Sequence, residues 1–101
     1  MAEHLIERVE DRGRGGFVIR NPDGGEPEFW AEMTYRWQNE TMVIVHTGVR
    51  EMLRGQGIAR KLVLEGVAAA RSEGFLIEPI CPYAKKVLEG DPSFADVLAP
   101  A

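Results

Sequence analysis

Arg54-Gly55-Gln56-Gly57-Ile58-Ala59 separates two stretches of opposite periodicity. Before it, Thr41 to Val49 is a β-branched run of the kind found in a buried central strand. After it, Ala59, Leu62, Val63, Gly66, Val67 and Ala70 recur at helical spacing, while Arg60, Lys61, Glu65, Arg71 and Glu73 lie largely elsewhere. A glycine-bearing loop that closes a strand and opens a helix can hold a phosphate. Its backbone N–H groups point at the ligand, and the helix dipole favours negative charge there. Residues 54–57 offer no Ser, Thr, Asp or Asn to cap the first free N–H groups. Water or an anionic ligand is expected to satisfy them instead.

Working outward from the loop, Gly74 is a natural helix stop, and residues 75–80 are the next strand. The unit from 41 to 80 therefore predicts parallel strands joined by a right-handed crossover helix. Pro82 suits the first position of a second helix, which makes Cys81 its N-cap. Tyr83, Ala84, Val87 and Leu88 give that helix an apolar face, and Gly90 ends it. Asp91-Pro92 opens a last short helix carrying Phe94, Val97 and Leu98. Upstream, residues 28–37 alternate, with Phe29, Ala31, Met33, Tyr35 and Trp37 facing one way. Trp30 interrupts the polar side of that alternation. Residues 4–10 and Phe17-Val18-Ile19-Arg20 supply two earlier strands, and residues 11–16 form the turn between them. The order is β-β-β-β-α-β-α, an α/β or α+β single domain with a mixed sheet, an antiparallel meander followed by a β-α-β crossover.

At 101 residues the chain reads as one domain spanning 1–101, with a real core but limited reserve. Its formal net charge of -4 leaves no electrostatic footprint for a nucleic-acid partner. One cysteine excludes an internal disulfide, which fits a reducing compartment. Met1-Ala2-Glu3-His4 lacks the basic-then-apolar profile of a signal peptide, and the apolar runs are too short to span a bilayer. These features point to a cytoplasmic protein with no membrane partner, a monomer or weak dimer. No residue set suggests a metal site.

Three phosphate-loop patterns compete. A Walker loop requires Gly, four residues, then Gly-Lys-Ser/Thr, and the chain has none. A dinucleotide fingerprint requires Gly-x-Gly-x-x-Gly, but Arg60 stands where the third glycine belongs. Arg/Gln-x-x-Gly-x-Gly/Ala is met by Arg54, Gly57 and Ala59. On this motif the chain resembles the GNAT superfamily of acetyl-CoA-dependent N-acetyltransferases. The resemblance is closest to a small subgroup that runs through His-Thr-x-Val, Leu-Arg-Gly-Gln-Gly and Cys-Pro-Tyr. Here these are His46-Thr47-Gly48-Val49, residues 53–57 and Cys81-Pro82-Tyr83, so the resemblance covers roughly residues 28–98.

That resemblance implies a central helix opening at the glycine loop and acetyl-CoA as cosubstrate. It also implies that Arg54, Gly55, Gln56, Gly57, Ile58 and Ala59 hold the pyrophosphate, with Arg60 or Lys61 adding charge. Val49 would meet the pantetheine arm and thioester carbonyl through its backbone. The chain departs from larger family members in having no room for the two helices that usually shape their acceptor pocket.

Acetyl transfer needs an amine held against a thioester, donors for the oxyanion and an acid for the leaving thiolate. Cys81, at a helix N-terminus with Lys85 and Lys86 following, is a candidate nucleophile of lowered pKa. Its other reading is a small buried capping residue, structural or in contact with the coenzyme. His46 is a candidate general base or a group orienting Cys81, against the alternative of a hydrogen-bonded core histidine. By the resemblance, Tyr83 matches a tyrosine that protonates the departing thiolate; its other reading is an apolar anchor for its helix. Glu32 is a candidate to receive the acceptor amine, or a solvated strand residue, and Trp30 a candidate for the acceptor cleft wall.

The expected function is acetyl transfer from acetyl-CoA to an amine, on a small molecule or a lysine side chain. Its alternatives are a non-catalytic coenzyme A-binding module, acting as a sensor or partner-binding domain, and a structural domain whose glycine loop is incidental.

Overall fold

A computed structural model describes residues 4–100. Residues 1–3, on which the absence of a signal peptide was partly read, lie outside them. Five strands form one sheet in sequential order: β1 (Glu7–Asp11), β2 (Arg14–Arg20), β3 (Phe29–Gln38), β4 (Thr41–Val49) and β5 (Leu76–Pro79). The first four make an antiparallel meander, and β5 returns parallel to β4 after helix α1 (Ile58–Glu73). Helix α2 (Pro82–Glu89) follows, with Cys81 as its N-cap and Pro82 in its first turn. A 3-10 turn at Pro92–Phe94 has the Asp91 side chain accepting from the Ser93 N–H. The architecture is the α+β mixed sheet expected from the sequence.

The differences are local. The β1–β2 turn is only Arg12 and Gly13, both with positive φ, so β2 begins at Arg14, before the apolar Phe17. Glycine and the left-handed conformation at two successive positions match the right-handed twist of a tight hairpin. Strand β5 is shorter than residues 75–80 because Phe75 packs into the core ahead of it and Ile80 has left the parallel ladder.

One apolar cluster gathers Met33, Tyr35, Met42 and Ile44 from the sheet with Leu62, Val63 and Val67 from α1. Ala84 and Leu88 of α2 join it, as does Phe94. Removing each large aliphatic side chain from water contributes about 1.5–3 kcal/mol. Tyr83 does not belong to this core. It is 38% exposed, whereas Ala84 and Leu88 are fully buried, so the anchor reading of Tyr83 is corrected. Helical spacing places Tyr83 beside Val87, at the margin of the stripe that Ala84 and Leu88 centre.

Strand β4 holds the feature that shapes the site. Tyr35 opposes Ile44, yet the preceding residue Thr34 opposes His46, leaving Val45 as an extra, unpaired residue. Such a bulge bends its strand and shifts the side-chain alternation by one position. Uninterrupted alternation from Ile44 would aim His46 at the helix-covered face. Instead His46 shares the opposite face with Thr34, while Thr47 shares the core face with Met33.

Candidate active site

Three structural features converge past the bulge. The first is an unpaired strand edge. Strands β4 and β5 pair only from Thr41 and Leu76 to Ile44 and Pro79. The Ile80 and Cys81 N–H groups both donate to the Ile44 carbonyl, at 3.0 Å each, and the chain then turns into α2. Beyond Ile44 the two strands part, so the outer edge of residues 45–49 faces a gap. The Arg50 N–H donates to the Trp30 carbonyl at 2.8 Å. Antiparallel alternation then turns the N–H groups of Thr47 and Val49 away from β3 and into that gap.

The second is the loop ahead of α1. Gly57 is its N-cap, in the left-handed region at φ 71, and makes no side-chain cap. Gly55, at φ 80, lies in the same region. A Cβ at either position would meet nothing within 4 Å, so glycine is needed there for conformation rather than space. The first helical bond runs from the Lys61 N–H to the Gly57 carbonyl. Among the described residues, the N–H groups of residues 55–60 find no partner within the chain. Arg54 Nε donates to the Val49 carbonyl at 3.2 Å, tying the guanidinium to the end of the open edge. Gln56 Nε2 donates to the Met52 carbonyl at 3.4 Å. Arg60, exposed, faces a groove of about 500 Å³ with Tyr83, Lys86 and Asp91.

The third is Cys81. It is 5% exposed, and its Sγ donates to the Thr47 Oγ1 at 3.5 Å across the gap. Burial pushes the thiol up. The N–H groups of Ala84 and Tyr83 and the Thr47 hydroxyl favour the thiolate more, leaving the thiol below its ordinary value. No geometrically formed cap bond joins the sulfur to those amides, so they act as nearby dipoles.

His46 does not meet Cys81. The two lie on opposite faces of β4, and Thr47, which the sequence did not single out, faces the thiol. The pairing of His46 with Cys81 is therefore corrected, and the cause is the extra residue Val45. His46 instead leans along its strand over Gly48, where a Cβ would stand 2.9 Å from His46 Nε2. It joins Trp30, Glu32, Arg50 and Arg54 around a hollow of about 340 Å³ on the open face. Glu32 lies directly across from Gly48. Of the sequence candidates, the structure thus brings Trp30, Glu32 and His46 together. It places Cys81 at the gap and Tyr83 in the groove beyond it.

A model of the GCN5-related N-acetyl-transferase family matches residues 16–97. The chain belongs to the GNAT family. A GCN5-like Staphylococcus aureus protein, proposed to be an N-acetyltransferase, is 34% identical with a TM-score of 0.70, the match covering 94% of this chain and 89% of that one. Two structures below 25% identity share the fold. One is the ribosomal-protein-alanine N-acetyltransferase of Brucella melitensis biovar Abortus 2308, 17% identical, TM-score 0.57, covering 91% of this chain and 68% of that one. The other is assigned as an acetyltransferase from Agrobacterium tumefaciens, 24% identical, TM-score 0.55, covering 87% and 60%. A search of curated proteins returned no match. This GNAT protein is an N-acetyltransferase by family, and its chemistry is acyl transfer. Among the described residues no helix is long and apolar enough to cross a membrane, and no group of three or more metal-ligating side chains occurs.

Proposed function

We propose that this GNAT protein transfers the acetyl group of acetyl-CoA to an amine. The juxtaposition of the unpaired β4 edge with the free N–H groups of residues 55–60 supports this reading best. A strand edge lacking a neighbour accepts an extended, amide-bearing arm by main-chain hydrogen bonds. The uncapped start of α1 suits a pyrophosphate. Gly55, Gln56, Gly57, Ile58 and Ala59 would bind it through their amides, with Arg54 and Arg60 adding charge. Thr47 and Val49 would hold the arm, and the Val49 N–H would donate to the developing oxyanion.

His46 accepts the proton that the acceptor ammonium must lose before it attacks. The neutral amine nitrogen then bonds to the thioester carbon and gives up its second proton to solvent, the carbon–sulfur bond breaks, and the thiolate leaves with a proton. Tyr83, exposed beside the gap, is the proposed donor of that proton.

The depressed Cys81 thiol favours a second reading, in which the acetyl group passes through Cys81. The Cys81 thiolate attacks the thioester carbon and expels the first thiolate. The amine then attacks the new thioester and restores the cysteine.

Calorimetric titration with acetyl-CoA, followed by thiol release with a panel of amines, tests the proposal. Saturable binding and amine-dependent release are expected. Absence of both at high micromolar acetyl-CoA overturns it, and binding without release leaves only the module reading standing. A Cys81→Ser variant with full turnover removes the covalent route.

A further inference from the structure

We infer that the open-face hollow beside Gly48 is the acceptor site, and that its acceptor is a small zwitterion carrying a primary amine and a carboxylate a few carbons apart. The inference rests on the acyl-transfer reading above and supplies its missing substrate class. It begins with the ladder of side chains on this face. Trp30 opposes Arg50, Glu32 opposes Gly48, and Thr34 opposes His46. Glu32 and Arg50 are therefore diagonal neighbours, with Cα atoms about 7–8 Å apart.

Their charges are unmatched. Arg8 pairs with Glu73, Arg20 with Glu7 and Glu28, and Arg71 with Asp96, whereas among the described residues Arg14, Arg36, Arg54 and Arg60, like Arg50, take no carboxylate. Among the described residues, Glu32 and Arg50 take no such partner, although they line one hollow of about 340 Å³. A concave site holding the free Glu32 carboxylate and the free Arg50 guanidinium, with Arg54 tethered to the Val49 carbonyl at its margin, matches a ligand of opposite, separated charges. A fork of N–H donors suits a carboxylate. A carboxylate suits an ammonium, and Trp30 adds an aromatic wall.

The hollow also has an outlet toward the chemistry. Gly48 carries no side chain, so at that position only the thickness of one strand separates the hollow from the open β4 edge. His46 lies against Gly48, and Glu32 faces it across the ladder. An ammonium held by Glu32 thus sits beside the imidazole that takes its proton. Arg50 holds the other end of the ligand away from the gap. Arg54, whose Nε is already bound to Val49, remains with the coenzyme loop.

The test is a titration of the full chain, without coenzyme, followed by backbone amide shifts. The probes are β-alanine and γ-aminobutyrate, with propylamine and butyrate as their single-charge counterparts. Saturable shifts centred on Glu32, Gly48 and Arg50 are expected. The zwitterions should bind about 1.5- to 5-fold tighter than either counterpart, the range for exposed charge pairs. Arg50→Gln should bring γ-aminobutyrate down to the affinity of propylamine, and Glu32→Gln to that of butyrate. Arg36→Ala, farther along the same face, should change neither.

Equal affinity for propylamine and γ-aminobutyrate overturns the proposal, as do shifts that map elsewhere. Tighter binding by a blocked lysine peptide than by any zwitterion overturns it too, and assigns the face to a macromolecular acceptor. Because no coenzyme is present, these outcomes are independent of acetyl-CoA binding, which calorimetry judges separately.

Discussion

Replacing Gly48 by alanine puts a Cβ 2.9 Å from His46 Nε2. The obstructed atom is the end of an exposed side chain, so the imidazole swings aside and the backbone stays in place. An imidazole forced off its rotamer costs about 0.5–1.5 kcal/mol. The lost freedom of glycine in the unfolded chain returns about 0.4–1 kcal/mol. The net change is within about 1 kcal/mol, a Tm shift of at most about 4–8 °C for a chain of this size. The effect on turnover should be larger. Deleting a positioned general base costs about 10²–10⁴-fold. Turning it aside by about 1 Å costs on the order of 10²-fold.

The assay is steady-state thiol release from acetyl-CoA with the best amine of the panel. Four proteins are compared: the parent, Gly48→Ala, His46→Ala and the double variant. If the alanine acts by displacing the imidazole, it has nothing left to displace once His46 is gone. The double variant should then match His46→Ala within about twofold, a coupling that independent sites do not give. Two results refute the reasoning. Effects of the two substitutions that simply multiply would show that Gly48 acts without His46. Full turnover in His46→Ala with acetyl-CoA affinity unchanged would remove the imidazole from catalysis.

Arg54→Ala removes a charge-assisted contact with the proposed pyrophosphate, worth about 1.5–3 kcal/mol, and should weaken acetyl-CoA by about 10- to 100-fold in calorimetry. Gly57→Ala forces a side chain into the left-handed region at φ 71, so it should lower both acetyl-CoA affinity and, by about 1–2 kcal/mol, the stability measured in urea. Thr47→Val takes a hydroxyl partner from Cys81, and the pH midpoint of its alkylation should rise. The folded thiol titrates below the unfolded one. Parent stability relative to Cys81→Ser should therefore climb with pH from the folded value to the free-thiol value and stay level above it; a flat difference would contradict the shift. Leu62→Ala, at a fully buried position between α1 and the sheet, should cost about 2–5 kcal/mol in denaturant unfolding.

The element order was legible because each element carries its own period. The alternation of residues 28–37, the helical spacing after Gly57 and the Cys81-Pro82 start all report local geometry, and each element formed where its pattern lay. The glycine loop was legible for the same reason, since a missing cap is a local fact. The bulge was not. Residues 43–45 are Val-Ile-Val, with no glycine or proline to mark an extra residue, and pairing with β3 alone decides that Val45 is skipped.

That non-local choice governs the site. The Ile44 carbonyl, immediately before the bulge, takes the last two bonds from the β5 side. Val45 then bends β4, turns His46 to the open face and leaves Thr47 facing Cys81. One unpaired residue thus divides the side chains between two compartments, the gap proposed for the thioester and the hollow proposed for the amine. Strict alternation would have crowded His46 and Cys81 onto one face and left the hollow without its base. Deleting Val45 removes the extra residue yet leaves Thr34 opposite His46 and Met33 opposite Thr47, so His46 stays on the open face while the bend in β4 is lost. Such a variant is expected to keep the γ-aminobutyrate shifts at Glu32, because the open-face ladder is unchanged, while the straightened β4 edge narrows the gap beyond Ile44 and weakens acetyl-CoA binding. Unchanged acetyl-CoA affinity would show that the gap does not depend on the bulge.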